Sequence, residues 1–579
     1  MKHSLCSYLK NDHLGYCAAL LAMAAAAALA DAGDPPSRVA RLNYKSGSVS
    51  FRPGSVEEWT EASLNYPLTI GDRLWTQPGA RAELHTGSTA IRMASETALA
   101  ILNLDDRTVQ LSFTEGTIDV HILDLAFGES FEVDTPNAAI SLLRPGDYRI
   151  DANSDTNLTT VTARDGEADV TAGGSTFSVR MRESARIAGL DQVTQETGPA
   201  PPLNDFDLWC ATRARREAQS QSVRYVSRET IGYEDLDQYG TWRQVPPYGW
   251  VWMPGGVSAN WAPYHEGRWA WVEPWGWTWI DDAPWGFAPF HYGRWAYAGG
   301  WYWIPGTLAP RPVYAPALVA FVGGPGFGVS AAFGVGGAVA WFPLGPGEVY
   351  RPGYRVSQTY VRQVNITHVS VTNIDVVNVR YVNRDVRGAV TAVPREAFVQ
   401  ARPVARAAVA MDAREIAQGQ VVGAAPLVAP RRESVLANPE QRSMSGPPAR
   451  FADRAVMMRT APPPPPVSFG AKQQALEASQ GRPLDAGALD NLRRSAPPAN
   501  PMVRTMQVAP GSLRQPTPAP SPRNTPTDRP PARTEQQPRN DRPAQAAPPN
   551  NPPARQASPA RKTEKAPKAQ KTPDKKVDK

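Results

Sequence analysis

Across residues 38–190 apolar and polar side chains alternate in short runs. Gly47-Ser48-Val49-Ser50-Phe51, Val109-Gln110-Leu111-Ser112-Phe113 and Thr159-Thr160-Val161-Thr162 are examples. A period of two places alternate side chains on opposite faces of a strand. Turn signals separate the runs at Gly54, Gly71-Asp72, Gly87-Ser88, Gly116 and Pro145-Gly146-Asp147. The pattern predicts an all-β domain of short strands, a sandwich or a barrel.

A second pattern follows. Thirteen of the 17 tryptophans lie between Trp242 and Trp303. Gly240-Thr241-Trp242, Gly267-Arg268-Trp269 and Gly293-Arg294-Trp295 open three units. Gly249-Trp250-Val251-Trp252, Gly276-Trp277-Thr278-Trp279 and Gly300-Trp301-Tyr302-Trp303 close them, at steps of 24 to 27 residues. Within each unit the rings recur two apart, as strands require. Pro246, Pro247, Pro254, Pro263, Pro274, Pro284, Pro289 and Pro305 mark turns and strand ends, so no helix is expected in this window. The stripe formed by Trp250, Trp252, Trp269, Trp271, Trp275, Trp277, Trp279, Trp301 and Trp303 is either a core or an aromatic binding surface. Each indole carries roughly 150–250 Å², so three exposed ones would reach the ~300–600 Å² of the largest patch on a typical monomer. With few aliphatic residues in the window, the core reading is favoured.

The remaining segments are less regular. Residues 204–228 suit a short helix capped by Asp205, read as a spacer, and residues 230–310 hold the Trp/Pro-rich domain. Residues 311–400 contain a charge-free stretch from Pro312 to Gly347 that hydropathy alone would read as a membrane span. Pro325 and the seven glycines between Gly323 and Gly337 argue against a helix there. Leu318 to Val322 and Val339 to Phe342 are expected as strands, and Val361 to Val382 as an extended β arm. Residues 401–579 lose the β pattern and are expected to be a disordered, proline-rich basic tail, with Ala471 to Leu476 and Arg482 to Leu492 as an island that could form a short helix or docking segment.

Composition alters this picture at the two ends. Lys2 and Lys10 precede an apolar run from Leu14 to Ala30 that closes on Ala28-Leu29-Ala30, the form of a cleavable secretory signal over residues 1–30. The expected location is therefore the periplasm or cell surface. Once the signal is removed Cys210 is the sole cysteine, so an exported chain would fold without an internal disulfide. Nine Lys/Arg between Arg555 and Lys579 face only Glu564, Asp574 and Asp578, which accounts for the net charge of +6. Electrostatic contact of that tail with anionic envelope polymers is possible on this charge, whereas a nucleic-acid partner is not indicated.

Several motifs in the first domain resemble the FecR domain family. They are Gly71-Asp72-Arg73-Leu74, Ala80-Arg81-Ala82-Glu83-Leu84, Gly87-Ser88 with Arg92, Thr135-Pro136, Arg144-Pro145-Gly146-Asp147-Tyr148-Arg149-Ile150, and Val161-Thr162-Ala163-Arg164-Asp165-Gly166-Glu167-Ala168. The resemblance implies a periplasmic domain that responds to an outer-membrane iron transporter and controls a sigma factor through a cytoplasmic anti-sigma segment. Here the domain follows the signal directly, with no cytoplasmic segment or anchor expected before it. The Trp-rich window resembles a tryptophan- and proline-rich domain of unknown function that follows FecR-like domains in exported bacterial proteins.

Groups that could perform catalysis do not assemble in the sequence. His265 and His291 stand two residues before Gly-Arg-Trp or its equivalent, but zinc wants three or four ligands and no Cys or further His lies near, so no metal is expected and each imidazole should meet a ring or the backbone. Glu266, Glu273, Asp281 and Asp282 among tryptophans have the residue types of a glycosidase cleft without an enforcing spacing. Arg268 and Arg294 are expected over aromatic faces. Gly323-Gly324-Pro325-Gly326 lacks the Lys-Ser/Thr of a phosphate loop, and no cofactor is expected. The resulting expectation is a non-enzymatic, exported envelope protein that binds or scaffolds an envelope protein or polymer. The alternatives are an accessory to FecR-type signalling with a separate membrane regulator, and peptidoglycan or polysaccharide binding.

Overall fold

A computed structural model describes residues 33–190, 192–323, 327, 337–365, 380–437, 443–452 and 454–495, with the backbone of 503–505. The signal-like residues 1–30, most of the Gly-rich loop, the arm from 366 to 379 and the basic end of the chain lie outside the described residues. The described chain is mostly sheet, with few helices and one tryptophan-rich aromatic cluster.

The N-terminal domain has two layers. In the first, Ala40–Ser46 pairs with Arg81–Thr86, then Thr89–Met93, the second half of Thr108–Ile122, Gly146–Asn153, Leu158–Ala163, Glu183–Ala188 and Thr194–Pro199 follow, all antiparallel. In the second, Val49–Arg52, Arg73–Thr76, Ala98–Leu104 and the first half of Thr108–Ile122 run on through a parallel pairing to Ser130–Asp134, then Ala139–Leu142, Glu167–Ala172 and Ser175–Arg180. The 15-residue strand Thr108–Ile122 therefore serves both layers. Gly116 marks the changeover with φ of 100°, and a Cβ there would stand 2.4 Å from Thr97 Oγ1. It bends a strand where the sequence suggested a turn. Leu42, Leu84, Ile91, Val120 and Val161 of one layer and Phe51, Leu74, Leu99, Ile101 and Leu111 of the other are buried in the shared core.

Each tryptophan unit is a β-hairpin. Gly240–Val245 pairs with Gly249–Pro254, Gly267–Val272 with Gly276–Asp281, and Arg294–Tyr297 with Trp301–Ile304, which sets Trp242 opposite Trp252, Trp269 opposite Trp279, and Trp295 opposite Trp303. The opening glycine is required by the closing ring. A Cβ would lie 2.3 Å from Trp252 at Gly240, 2.6 Å from Trp279 at Gly267 and 2.3 Å from Trp303 at Gly293. The first and third hairpins join edge to edge through Trp252 and Trp303, while the second stands apart. Its Trp269 contacts Trp279, Phe321, Trp341 and Phe398 at ring separations of 5.1 to 5.6 Å. Between the second and third hairpins a short helix, Ala288–His291, does occur; Pro289 sits in its first turn, where a missing N–H breaks no helical bond.

Val319–Gly323 and Ala338–Pro343 pair antiparallel, and Thr391–Pro394 and Gln420–Gly423 extend them to four strands. Three expectations need correction. The helix Asp205–Ala218 is capped by Asn204, whose side chain accepts from Phe206 and Asp207 N–H while Asp207 returns a bond to Asn204 N–H; Asp205 is already helical. The start of the stretch expected as a β arm, residues 361–365, is instead the end of a helix, Gln358–Asn365, because Tyr360 and Val364 are four apart and both buried, and Ser357 Oγ accepts from Tyr360 N–H. The described residues between 401 and 495 are not a structureless tail. Gln420–Gly423 completes a sheet, Val428 O accepts from Trp277 Nε1 at 2.9 Å, and the helix Phe469–Ala478 buries Phe469 and Leu476. Its apolar residues are too sparse to show a period; they dock singly on the domains already formed.

Two outcomes follow from this packing. Gly267→Ala should destabilise the protein by about 1–3 kcal/mol through overpacking, whereas Gly300→Ala, where a Cβ meets nothing within 4 Å, should stay within about 0.5 kcal/mol; denaturant melts compare them. A chain ending at Ala401 should melt well below one ending at Ser495.

Candidate functional site

The two outer faces of the N-terminal domain are covered by different means, and each carries a candidate site. On the first layer, the register rows Glu83–Arg92–Asp119 and His85–Ala90–His121 point away from the core. The helix Asp205–Ala218 and the turn Tyr233–Asp235 lie over them. Arg92 donates to Glu83 (2.7 Å), Asp119 (3.1 Å) and Glu217 (3.0 Å); Arg213 donates to Glu83, Arg41 to Asp235 (2.7 Å) and Arg216 to Asp235 (3.0 Å). The helix expected as a spacer is thus bonded to the sheet along its charged face, with Asp207 bridging Arg149 and Arg164.

His85 completes this enclosure. Its Nε2 lies 3.1 Å from Glu83 and 3.0 Å from Glu217, and its Nδ1 lies 3.1 Å from Glu234. Both ring nitrogens face carboxylates, so a neutral ring would aim a lone pair at one of them. Burial alone would drive the imidazole neutral, but Glu234 and Glu217 hold its pKa well above the ordinary value. The same geometry lowers the pKa of Glu83 well below the usual range despite its burial, through His85, Arg213 and Arg92. Five carboxylates (Glu83, Asp119, Glu217, Glu234, Asp235) then face four guanidiniums (Arg41, Arg92, Arg213, Arg216) and one imidazolium. Glu83, His85 and Glu217 bring ligand-type atoms within 4.8 Å of one another. Their positions are filled by donors, since Glu83 accepts from Arg92, Arg213 and Asn43 and Glu217 from Arg92, so the trio does not suit a metal ion. Burial also pushes the Cys210 thiol up, and the side chain is enclosed.

The second layer's outer face is crossed by a strap, residues 443–452 and 454–467. Trp59 O accepts from Met444 N–H (3.1 Å), and Ser445 O accepts from Ser50 Oγ and Gln77 Nε2 (2.8 Å each) at one end. Phe451 packs on Trp75, and Arg454 donates to Thr114 O and Asn157. At the other end Thr135 O accepts from Met457 N–H, Glu132 from Thr460, and Gln110 donates to Thr460 O. Pro462 to Pro466 then roof a cleft of about 670 Å³. Its floor is low because Ala98, Ala100, Ser112 and Thr114 are small, while Leu99 and Ile101 of the same strand turn into the core. Arg52 and Arg73 stand directly opposite each other at one end. A second chamber of about 310 Å³ shares Gly54, Ile70 and the prolines, and is lined by Trp271, Trp275 and Asp72. Burial raises the Asp72 carboxyl to about 7, against bonds from the Thr69 and Gly54 N–H groups.

The tryptophan stripe lies mostly elsewhere. Trp252, Trp269, Trp271, Trp275, Trp277, Trp279, Trp301 and Trp303 are buried, and Trp250 is 47% exposed. Trp277 and Trp279 lie two apart on one face of the second hairpin and both are enclosed there, Trp277 against Phe398 and Trp279 against Phe290 and Trp341. Trp271 and Trp275 alone reach the strapped region. His291 donates from Nδ1 to Ala315 O and packs on Phe287 and Tyr314; burial pushes its pKa down to about 3. Arg268 and Arg294 do not lie over rings as expected. Arg268 reaches Ala437 O and Asp282, and Arg294 reaches Glu348 O, Gly293 O and Asn365, so their donors are taken by carbonyl and side-chain oxygens. The sequence search missed His85, Glu217 and the cleft. A period-two signal was present in both places, Glu83-Leu84-His85 and Ala98-Leu99-Ala100-Ile101, but it does not say what covers the outward residues.

Residues 233–348, from the turn beneath His85 through the three hairpins, match the family model described as a family of unknown function, DUF6600. No curated protein matches the chain. Two crystal structures of a candidate anti-sigma factor from Parabacteroides distasonis are similar to 22% of the chain, at 15% and 16% identity with a TM-score of 0.20 in each case; the match spans 60% of the solved chain. Among the described residues no helix is long and apolar enough to cross a membrane.

The His85 geometry sets a pH dependence. A raised folded pKa stabilises fully below the unfolded value of about 6.5, and that contribution is lost as pH rises through the folded pKa. Stability of the wild type should therefore fall more steeply than that of His85→Gln as pH rises above about 6.5, as read from urea midpoints; parallel slopes would mean the ring is neutral in the fold.

Proposed function

We propose that the chain is an exported, non-enzymatic envelope protein, a binding or scaffold module whose FecR-type β domain and tryptophan hairpins form a rigid frame around the strapped cleft. The observation that carries this reading is the cleft of about 670 Å³ with a floor of small residues and a roof of five successive prolines. The densest titratable cluster among the described residues, around His85, is consumed by its own ion pairs and offers no acid or base to a substrate. Export rests on the signal-like residues 1–30, and the FecR assignment on the motifs around Asp72, Arg92 and Tyr148.

Filling the cleft tests the reading. Full-length wild type and Ala100→Phe are compared as baits on intact envelopes. Material retained by the wild type and lost by the variant supports the module, and its nature separates an envelope transporter or scaffolded protein from a membrane regulator or murein. Equal recovery by both would place binding away from the cleft and overturn the reading.

A further inference from the structure

We propose that Glu132 and Asp134 form a proton-held latch on the strap: with a proton between the two carboxyl groups the strap is docked over the cleft, and loss of that proton as pH rises frees the strap and opens the cleft. This regulation rests on the reading of the cleft as a binding site.

Both side chains stand on the outer face of Ser130–Asp134, because Phe131 and Val133 turn into the core. Asp134 lies opposite Ser112, whose other neighbour is Ala100, so the pair borders the cleft floor. Glu132 holds the strap by accepting from Arg459 N–H (2.9 Å), Thr460 N–H (3.1 Å) and Thr460 Oγ (2.8 Å). Gln110 Nε2 ties Asp134 to the same point, donating to Asp134 Oδ2 and to Thr460 O at 2.8 Å each. The proline roof starts just beyond, at Pro462, and its far end is fixed by Phe469 N–H on Ser55 O (2.7 Å). Release at Thr460 therefore frees the near end of the roof.

Two ionised carboxylates do not suit this place. Asp134 is fully enclosed, and its Oδ1 has no hydrogen-bond partner. A proton on that oxygen makes it a donor to Glu132, which accepts from it as it accepts from the strap. Among the described residues, nearby charges offer no substitute. On the neighbouring strands Gln110, Ser112, Ala139 and Ser141 are neutral, and Asp169 lies one strand beyond Ser141. On the strap the Arg459 side chain is exposed, and Arg454 is spent on Thr114 O, Asn157 and Glu115.

Burial, with Glu132 beside it, holds the Asp134 carboxyl well above its ordinary value, against the bond from Gln110. With the strap off, water reaches the group and its pKa returns toward about 3.9. Docking is therefore fully supported below about pH 4 and weakens about tenfold per pH unit above it, until the docked carboxyl itself ionises.

The test is trypsin cleavage of the full chain after Arg459, divided at each pH by the rate for a free peptide spanning that bond. The ratio reads the fraction of chains with the strap released. Between about pH 5.5 and 8 it should rise, by up to about tenfold per unit, while the corresponding ratio after Arg414, outside the strap, stays level. Asp134→Asn, neutral at every pH, should keep the acid-side protection throughout. Thr460→Val, which loses one bond to Glu132, should be cleaved faster at every pH and keep the wild-type slope. A flat wild-type ratio, a wild-type slope in Asp134→Asn, or an equal rise after Arg414 would overturn the latch. So would protection restored by calcium at the alkaline end, which would put a cation between the carboxylates. If the melting curve of Asp134→Asn shows misfolding, the two cleavage sites of the wild type decide. Envelope capture separates latch from cleft: a slope without Ala100-dependent capture keeps the latch and drops the cleft reading, and Ala100-dependent capture without a slope does the reverse.

Discussion

The arrangement of the folded chain depends on a charged sheet face that cannot be left bare or packed with apolar residues. Glu83, Arg92 and Asp119 project from the first layer in one register row, and Arg92 is fully enclosed with three carboxylates around it. Such an enclosure adds little net stability compared with apolar packing, yet removing one member strands the others at a cost of about 3–5 kcal/mol. Its use is geometric. The helix carrying Asp207, Arg213 and Glu217, followed by Glu234 and Asp235, supplies the complementary pattern. That fit places the first tryptophan hairpin, which begins at Gly240 after the single helical turn Leu236–Tyr239.

The tryptophan domain is organised by a different rule. Each closing indole lies over the opening glycine of its own hairpin and spends its N–H on a nearby oxygen: Trp252 on Leu236 O, Trp279 on Asp281, Trp303 on Tyr292 O. The repeat thus builds three self-clasped ribbons, and a two-stranded ribbon is only marginally stable alone. The middle one is completed from outside, by Phe321, Trp341 and Phe398 of later segments. Aromatic residues at period two showed the strands; the partners of the middle hairpin were not visible because they lie roughly 50 to 130 residues further on.

Strand content, the repeat and the Val319 to Phe342 pair were legible because alternation and turn residues are local. What failed depended on long-range covering. The charged rows of the first layer have the polar-outward look of a solvated face, and nothing near Glu83 in sequence announces Glu217. Proline density in residues 401–495 suggested a chain that buries too little, yet Val428, Phe451, Val456 and Leu476 each settle on a surface prepared by earlier residues. Anchors of that kind carry no period. The candidate cleft was illegible for the same reason, since its floor and its roof come from segments more than 300 residues apart.

That separation gives the strap a temporal meaning. Ser50 meets Ser445 across 395 residues, and Arg454 meets Thr114 across 340. Loop-closure entropy grows only logarithmically with such lengths, so the tether itself adds little thermodynamic burden. Kinetically it is among the last surfaces a growing chain can complete. Until Pro466 has been made and laid down, the second layer presents an open shelf; afterwards the same residues wall a chamber, so the enclosed volume exists only in a chain made through its proline run.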